Sequence, residues 1–158
     1  MTTAIDNTFD HTGFVTRDIE GTVEFWTRVV GLTASPIVER TGAWISAFTG
    51  VPNAALRIVH LFGEGVHLEF LEFIRGGATP EQPAPANASC VGHVCLRVDD
   101  PAEALRRCVA AGAKPAGKVT TITEGAATGL TGVYLRDPNG LLVELLQRAD
   151  PRSGGGPR

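Results

Sequence analysis

The sequence predicts an α+β fold: two tandem βαβββ modules forming a curved, half-open mixed sheet around a metal-binding cavity. Three observations predict it. Apolar residues alternate along the chain between the period of a strand and that of a helix. The order of these segments occurs twice, and a repeat of that kind governs the fold. Each half also opens on a histidine and closes on a glutamate: His11 and Glu69, then His93 and Glu144. One βαβββ unit leaves a sheet face bare, whereas two side by side can curl around a shared cavity.

Phe9 to Thr16 reads as the first strand. In Glu20–Val30, Val23, Phe25, Trp26, Val29 and Val30 make one apolar helix face. Asp18 is placed to cap that helix and Gly31 to end it. Trp44–Phe48, Ala55–Phe62 and Val66–Ile74 read as three further strands, separated by Gly50-Val-Pro-Asn and Gly63-Glu-Gly. Gly76–Ser89, rich in Pro, Gly and Ala, has a linker composition. Gly92–Val98 then reads as a strand and Pro101–Ala111 as a helix, with Asp99 or Asp100 as cap and Pro101 in its first turn. Lys118–Ile122, Gly132–Leu135 and Leu141–Leu146 complete the strands, the last after an Asp137-Pro-Asn-Gly turn. The organisation expected is a first module at 8–75, a linker at 76–89, a second module at 90–148 and a disordered tail at 149–158.

The repeat extends to individual residues. His11 is followed seven residues later by Asp18, and His93 seven later by Asp100. His67-Leu-Glu-Phe-Leu-Glu matches Leu142-Val-Glu-Leu-Leu-Gln, which pairs Glu69 with Glu144 and Glu72 with Gln147.

A net charge of -3 gives no pull toward nucleic acid or an anionic membrane. No run approaches the roughly 20 apolar residues of a membrane span, and residues 1–10 lack an apolar signal core, so cytoplasm is the expected compartment. Cys90, Cys95 and Cys108 are not spaced as C-x-x-C; they read as buried reduced thiols.

The chemistry rests on His11, Glu69, His93 and Glu144. Two imidazoles and two carboxylates suit a borderline or hard divalent ion: Zn, Ni, Co, Mn or Fe(II). A carboxylate between apolar neighbours on a sheet is costly to bury without a partner, and a cation offsets that cost. One histidine on a strand is more often a hydrogen-bonded core residue than a ligand; four competent residues at repeat-equivalent positions are harder to dismiss. His60 and His67 read either as cavity lining, meeting substrate with Phe73, or as residues of a wet face. Glu39, Glu64 and Glu72 read as solvated charges. Trp26 reads as core; Trp44 and Tyr134 fit core or cavity wall equally.

The segments DHTGFVTRDIEGTVEFWTRVVGL, VGHVCLRVDD and GVYLRDPNGLLVELLQ resemble the vicinal oxygen chelate superfamily, over about residues 8–148. That group includes glyoxalase I, methylmalonyl-CoA epimerase, extradiol dioxygenases, and fosfomycin and bleomycin resistance proteins. The resemblance implies paired βαβββ modules, often in a homodimer, and a metal chelated by oxygens of a small-molecule substrate. It places the four ligand positions on His11, Glu69, His93 and Glu144. The four-ligand set is that of glyoxalase I and the epimerase rather than the dioxygenases. Bacterial glyoxalase I enzymes carry an Arg four residues after the first His and an Asn four after the first Glu, to hold glutathione; here these are Val15 and Phe73. The epimerase's catalytic Glu on the second strand has no counterpart in Trp44–Phe48.

The leading expectation is therefore a metal-dependent lyase or isomerase. Proton transfer would occur next to a chelated carbonyl, with Glu144 or Glu69 as base. A metal-free protein that sequesters a hydrophobic natural product is the second reading, motivated by the apolar Val15 and Phe73. An Fe(II) extradiol-type dioxygenase is the third.

Overall fold

The computed structural model describes residues 7–78, 80 and 82–148. The chain divides into two compact units, Met1–Thr79 and Pro80–Arg158. The expected disordered tail lies outside the described residues. Gly76–Ser89 holds no strand or helix among its described residues.

The first unit runs β1 (Thr12–Val15), α1 (Ile19–Arg28), β2 (Thr33–Ala34), β3 (Val38–Arg40), α2 (Ala43–Thr49), β4 (Ala55–Gly63) and β5 (Val66–Arg75). Its open, mixed five-stranded sheet has the order β1-β5-β4-β2, with β3 also on β4. β1 runs parallel to β5, and the other pairings are antiparallel. Asp18 caps α1: its Oδ1 accepts the Gly21 N–H at 2.9 Å. Such a cap satisfies a donor that the first turn would otherwise leave open. The buried stripe of α1 is Ile19, Thr22, Phe25 and Trp26. Trp26 sets its ring 5.7 Å from that of Phe70, which also meets Phe14 at 5.6 Å. Burial of side chains this size stabilises the unit by about 1.5–3 kcal/mol each. Alternation does the rest: with Phe70, Leu68, Val59 and Leu61 buried, residues one place along each strand face the other way. That second face carries Gly13, His60, His67 and Glu69.

Arg57 of β4 joins α1 to this sheet. Its Nε donates to Glu72 at 2.6 Å and its Nη2 to Glu20 at 3.0 Å. Glu72 is thus an ion-pair partner, not the solvated charge expected.

One expected strand is a helix. Trp44–Phe48 lies within α2, where the single buried side chain is that of Ile45. Ile45 is buried against Ala54 and Leu56, while Trp44 and Phe48 are exposed. Gly50, at φ 73°, ends the helix in the left-handed region, where a side chain would be strained.

The second unit runs β6 (His93–Arg97), α3 (Pro101–Ala110), β7 (Lys114–Pro115), β8 (Thr120–Thr121), a 3-10 turn at Gly125–Ala127, β9 (Thr131–Arg136) and β10 (Leu142–Gln147). Its five-stranded sheet repeats the plan: order β6-β10-β9-β7, with β8 also on β9. β6 is parallel to β10. The expected strand Lys118–Ile122 shrinks to Thr120–Thr121. All five of its residues are exposed, so no burial supports a longer edge. In both units the second strand of the module is split into two short pieces on one neighbour.

Asp100 caps α3, accepting from the Ala102 and Glu103 N–H groups at 2.9 and 3.1 Å. Buried Asp137 accepts from the Asn139 and Leu141 N–H groups at 3.0 and 2.9 Å, which fixes the turn between β9 and β10. Of the cysteines expected to be buried, only Cys108 is; Cys90 and Cys95 are exposed. Cys90 precedes β6, and Cys95 stands level with Glu144 on the β6–β10 ladder. No helix among the described residues is long and apolar enough to cross a membrane.

Candidate metal and proton-transfer sites

In the first unit, hairpin register sets the geometry. The turn after Gly63 pairs Gly63 with Val66, and the ladder then places His60 directly across from Glu69. On the other side of β5, Gly13 is level with Glu69. A Cβ at Gly13 would lie 3.3 Å from Glu69 Oε2, so the glycine leaves the carboxylate its room. His11, one residue ahead of β1, reaches into that space: its Nε2 lies 3.3 Å from Glu69 Oε2. Its other nitrogen, Nδ1, is 2.5 Å from Asp10 Oδ1. The bond to Asp10 raises the pKa of His11 above the ordinary value, against a smaller opposing effect of burial. The same bond lowers that of Asp10.

His60 and His67 join this cluster. His60 Nε2 lies 4.0 Å from Glu69 Oε1, and His60 Nδ1 lies 3.1 Å from His67 Nε2. The His67 ring stacks on Phe62 with centroids 4.6 Å apart, and sits 5.2 Å from the His11 ring. Ligand atoms of Asp10, His11 and His67 all lie within 4.8 Å of one another. Phe73, expected beside these histidines, packs instead against the cluster of Ile45, Ala54 and Leu56.

The second unit repeats the pair. His93 Nε2 lies 3.1 Å from Glu144 Oε2. The ladders place Cys95 and Tyr134 on either side of Glu144. The Tyr134 hydroxyl donates to Glu144 Oε2 at 3.3 Å and lies 3.4 Å from His93 Nε2. Burial, then the neighbouring Glu144 charge, raises the pKa of Tyr134. The same two causes, in that order, raise that of Cys95.

Glu69 and Glu144 are mostly buried, with side chains 16% and 21% exposed, while their imidazole partners are 31% and 39% exposed. Each module therefore holds a shielded carboxylate against an accessible imidazole nitrogen. That donor set can bind a divalent cation or move a proton.

Asp10, Cys95 and Tyr134 were not singled out from the sequence as site residues. The turns carried a usable signal for Tyr134. Counting back from Asp137-Pro-Asn-Gly pairs Arg136 with Leu142 and hence Tyr134 with Glu144. The same count from Glu64-Gly65 pairs His60 with Glu69. Asp10 offered none, since it precedes the first strand.

Comparison with known proteins agrees with this architecture. A glyoxalase family protein from Bacillus cereus superposes with a TM-score of 0.79 at 21% identity, covering 95% of this chain and 99% of that one. A mutant glyoxalase I from Zea mays superposes with a TM-score of 0.57 at 15% identity, over 89% of this chain and 45% of the maize protein. Both show the glyoxalase-like fold of repeated modules. In sequence, a 2-epi-5-epi-valiolone epimerase from Actinomyces sp. is 32% identical over 146 residues, 86% of this chain and 76% of the epimerase. The sequence profile of one family matches residues 8–145, a span that begins before His11 and ends after Glu144. The chain belongs to the Glyoxalase/Bleomycin resistance protein/Dioxygenase superfamily.

Proposed function

We propose that this chain is a metal-dependent isomerase, an epimerase that moves a proton at a carbon next to a carbonyl in a small polyhydroxylated ketone. The observation that carries this reading is the doubled pair: His11 with Glu69 and His93 with Glu144, at the same place in both modules. The similarity to an enzyme named as an epimerase supports the reaction class.

The residues present fit a divalent ion. The donors are two imidazoles and two carboxylates, and Gly13 keeps clear the space beside Glu69 that any side chain would narrow. His11 with Glu69 in the first unit and His93 with Glu144 in the second are the residues that would hold such an ion; Zn, Ni, Co, Mn and Fe(II) suit such donors. When bound, an ion of this kind withdraws electron density from a carbonyl and acidifies the neighbouring C–H.

Glu144 would take the proton. Its carboxylate is shielded from water, and Tyr134 and His93 hold one oxygen, Oε2. A carboxylate fixed in this way acts as a general base within hydrogen-bond reach of a substrate proton. As the proton leaves, the C–H electron pair passes toward the carbonyl oxygen. Epimerisation then returns a proton to the opposite face of the same carbon.

The test is exchange of solvent deuterium into candidate substrates, followed by NMR, with the chain loaded with each metal in turn. The panel includes 2-epi-5-epi-valiolone and simpler polyhydroxylated ketones. Metal-dependent exchange at a carbon next to the carbonyl supports the reading. Absence of exchange across the panel, together with no metal uptake, overturns it.

A second reading rests on a different observation. Val15, Trp44 and Phe48 of the first module are 66%, 54% and 85% exposed, an apolar display. It favours a protein that binds a hydrophobic molecule without transforming it. Quenching of Trp44 fluorescence by aromatic natural products, with no metal requirement and no exchange, would support that reading over the first.

A further inference from the structure

Two imidazoles, not one, aim at Glu69. His11 Nε2 is 3.3 Å from Oε2 and His60 Nε2 is 4.0 Å from Oε1. Each ring is held at its other nitrogen, Nδ1: His11 by Asp10 and His60 by His67. A histidine that binds a metal through one nitrogen has the other held by a hydrogen-bond partner, which fixes the tautomer and the ring plane. Both rings show that arrangement, and both leave Nε2 facing the same carboxylate.

Spacing agrees. Two ligand atoms about 2.1 Å from one ion, at tetrahedral or octahedral angles, lie roughly 3.0–3.4 Å apart. The His11–Glu69 separation falls in that range, and His60 stands slightly outside it. The ladder dictates this placement, because β4 pairs His60 with Glu69 residue to residue. In the second module the matching position across from Glu144 is Tyr134, a phenol. The modules are thus unequal in donors.

We infer that His60 is a metal ligand of this chain. With His11 and Glu69 it gives the first module a two-His, one-carboxylate set of its own, and His67 is the residue that positions it. Phe62, stacked on His67, keeps that second ring in plane. The inference rests on the metal-holding part of the proposed function, and it adds a donor beyond the four repeat-equivalent residues.

Titration of the full chain with Co²⁺, read by visible absorption and by calorimetry, tests it. Wild type, His60→Ala, His60→Gln, His67→Ala, His11→Ala and the double variant His93→Ala/Glu144→Ala are compared, with circular dichroism confirming the fold of each. Both His60 variants should bind Co²⁺ about 10–100-fold more weakly, with a changed absorption band. His67→Ala should bind about tenfold more weakly, with the band shifted as His60 loses its orientation. The double variant should still bind, through the first module's three donors. Unchanged affinity and spectrum in both His60 variants, with binding lost in His11→Ala, would overturn the role of His60 and leave the metal reading standing. No Co²⁺ binding by wild type would overturn both.

Discussion

Asp137→Ala is expected to loosen the second site from a distance. The Asp137 carboxylate is buried and accepts two backbone N–H groups, from Asn139 and Leu141. Hydrogen bonds to a charged acceptor contribute about 1.5–3 kcal/mol each, so two amount to roughly 3–6 kcal/mol. The turn is only partly covered, with Pro138 exposed and Asn139 half-buried. The freed N–H groups can therefore regain some water, which places the cost near the lower end, about 3 kcal/mol. For a chain this long that corresponds to a fall in Tm of roughly 6–12 °C. Asp137→Asn keeps a neutral acceptor in place and should cost about half as much, since charge roughly doubles the strength of such bonds. Urea unfolding followed by circular dichroism gives the two costs. Amide exchange at Leu141 gives the local effect, protected in wild type and fast in Asp137→Ala. A cost below about 1 kcal/mol, with Leu141 exchange unchanged, would refute the assignment of the turn to this carboxylate. The functional consequence follows from register: the same turn sets Tyr134 across from Glu144.

Glu144→Gln should leave unfolding unchanged and reduce substrate deuterium exchange by about 10²–10⁴-fold, the range for a lost general base; retained exchange would remove Glu144 from that role. Arg57→Met should cost about 1–3 kcal/mol, because it leaves the largely buried Glu72 unpaired; urea denaturation measures this. The bond to Arg57 lowers the folded pKa of Glu20, so its contribution is present above the unfolded value and is lost as pH falls through the folded one. Because Glu20 is 61% exposed, that contribution is well below about 1 kcal/mol, and a denaturation series at acid pH should show the slope flatten in Arg57→Met. Thiol titration of the native protein should find Cys90 fastest, Cys95 slower and Cys108 protected until unfolding. Cys108 is buried and burial pushes its thiol up, while Cys95 is raised by burial and Glu144. Equal rates for all three would contradict the burial described.

The sequence by itself determined the modular plan and the two His–Glu pairs. Both are written in short-range periodicity and in a repeat, which need no knowledge of tertiary contacts. The cap Asp18, and a cap at Asp99 or Asp100, are legible for the same reason, since a cap acts within one helical turn; the structure selects Asp100. Only the tertiary structure decided that Trp44–Phe48 is a helix. Its apolar residues are too few for pattern alone to choose, and the burial of Ile45 against Ala54 and Leu56 settles it. The structure likewise decided what surrounds the carboxylates. His60 and His67 read as ambiguous because a histidine's role depends on what faces it, and that is fixed by pairing across β4 and β5. Asp10, which holds His11, entered the site only through the fold. A strand's pattern states which face a side chain takes; its partners depend on neighbouring strands, and those are set by register.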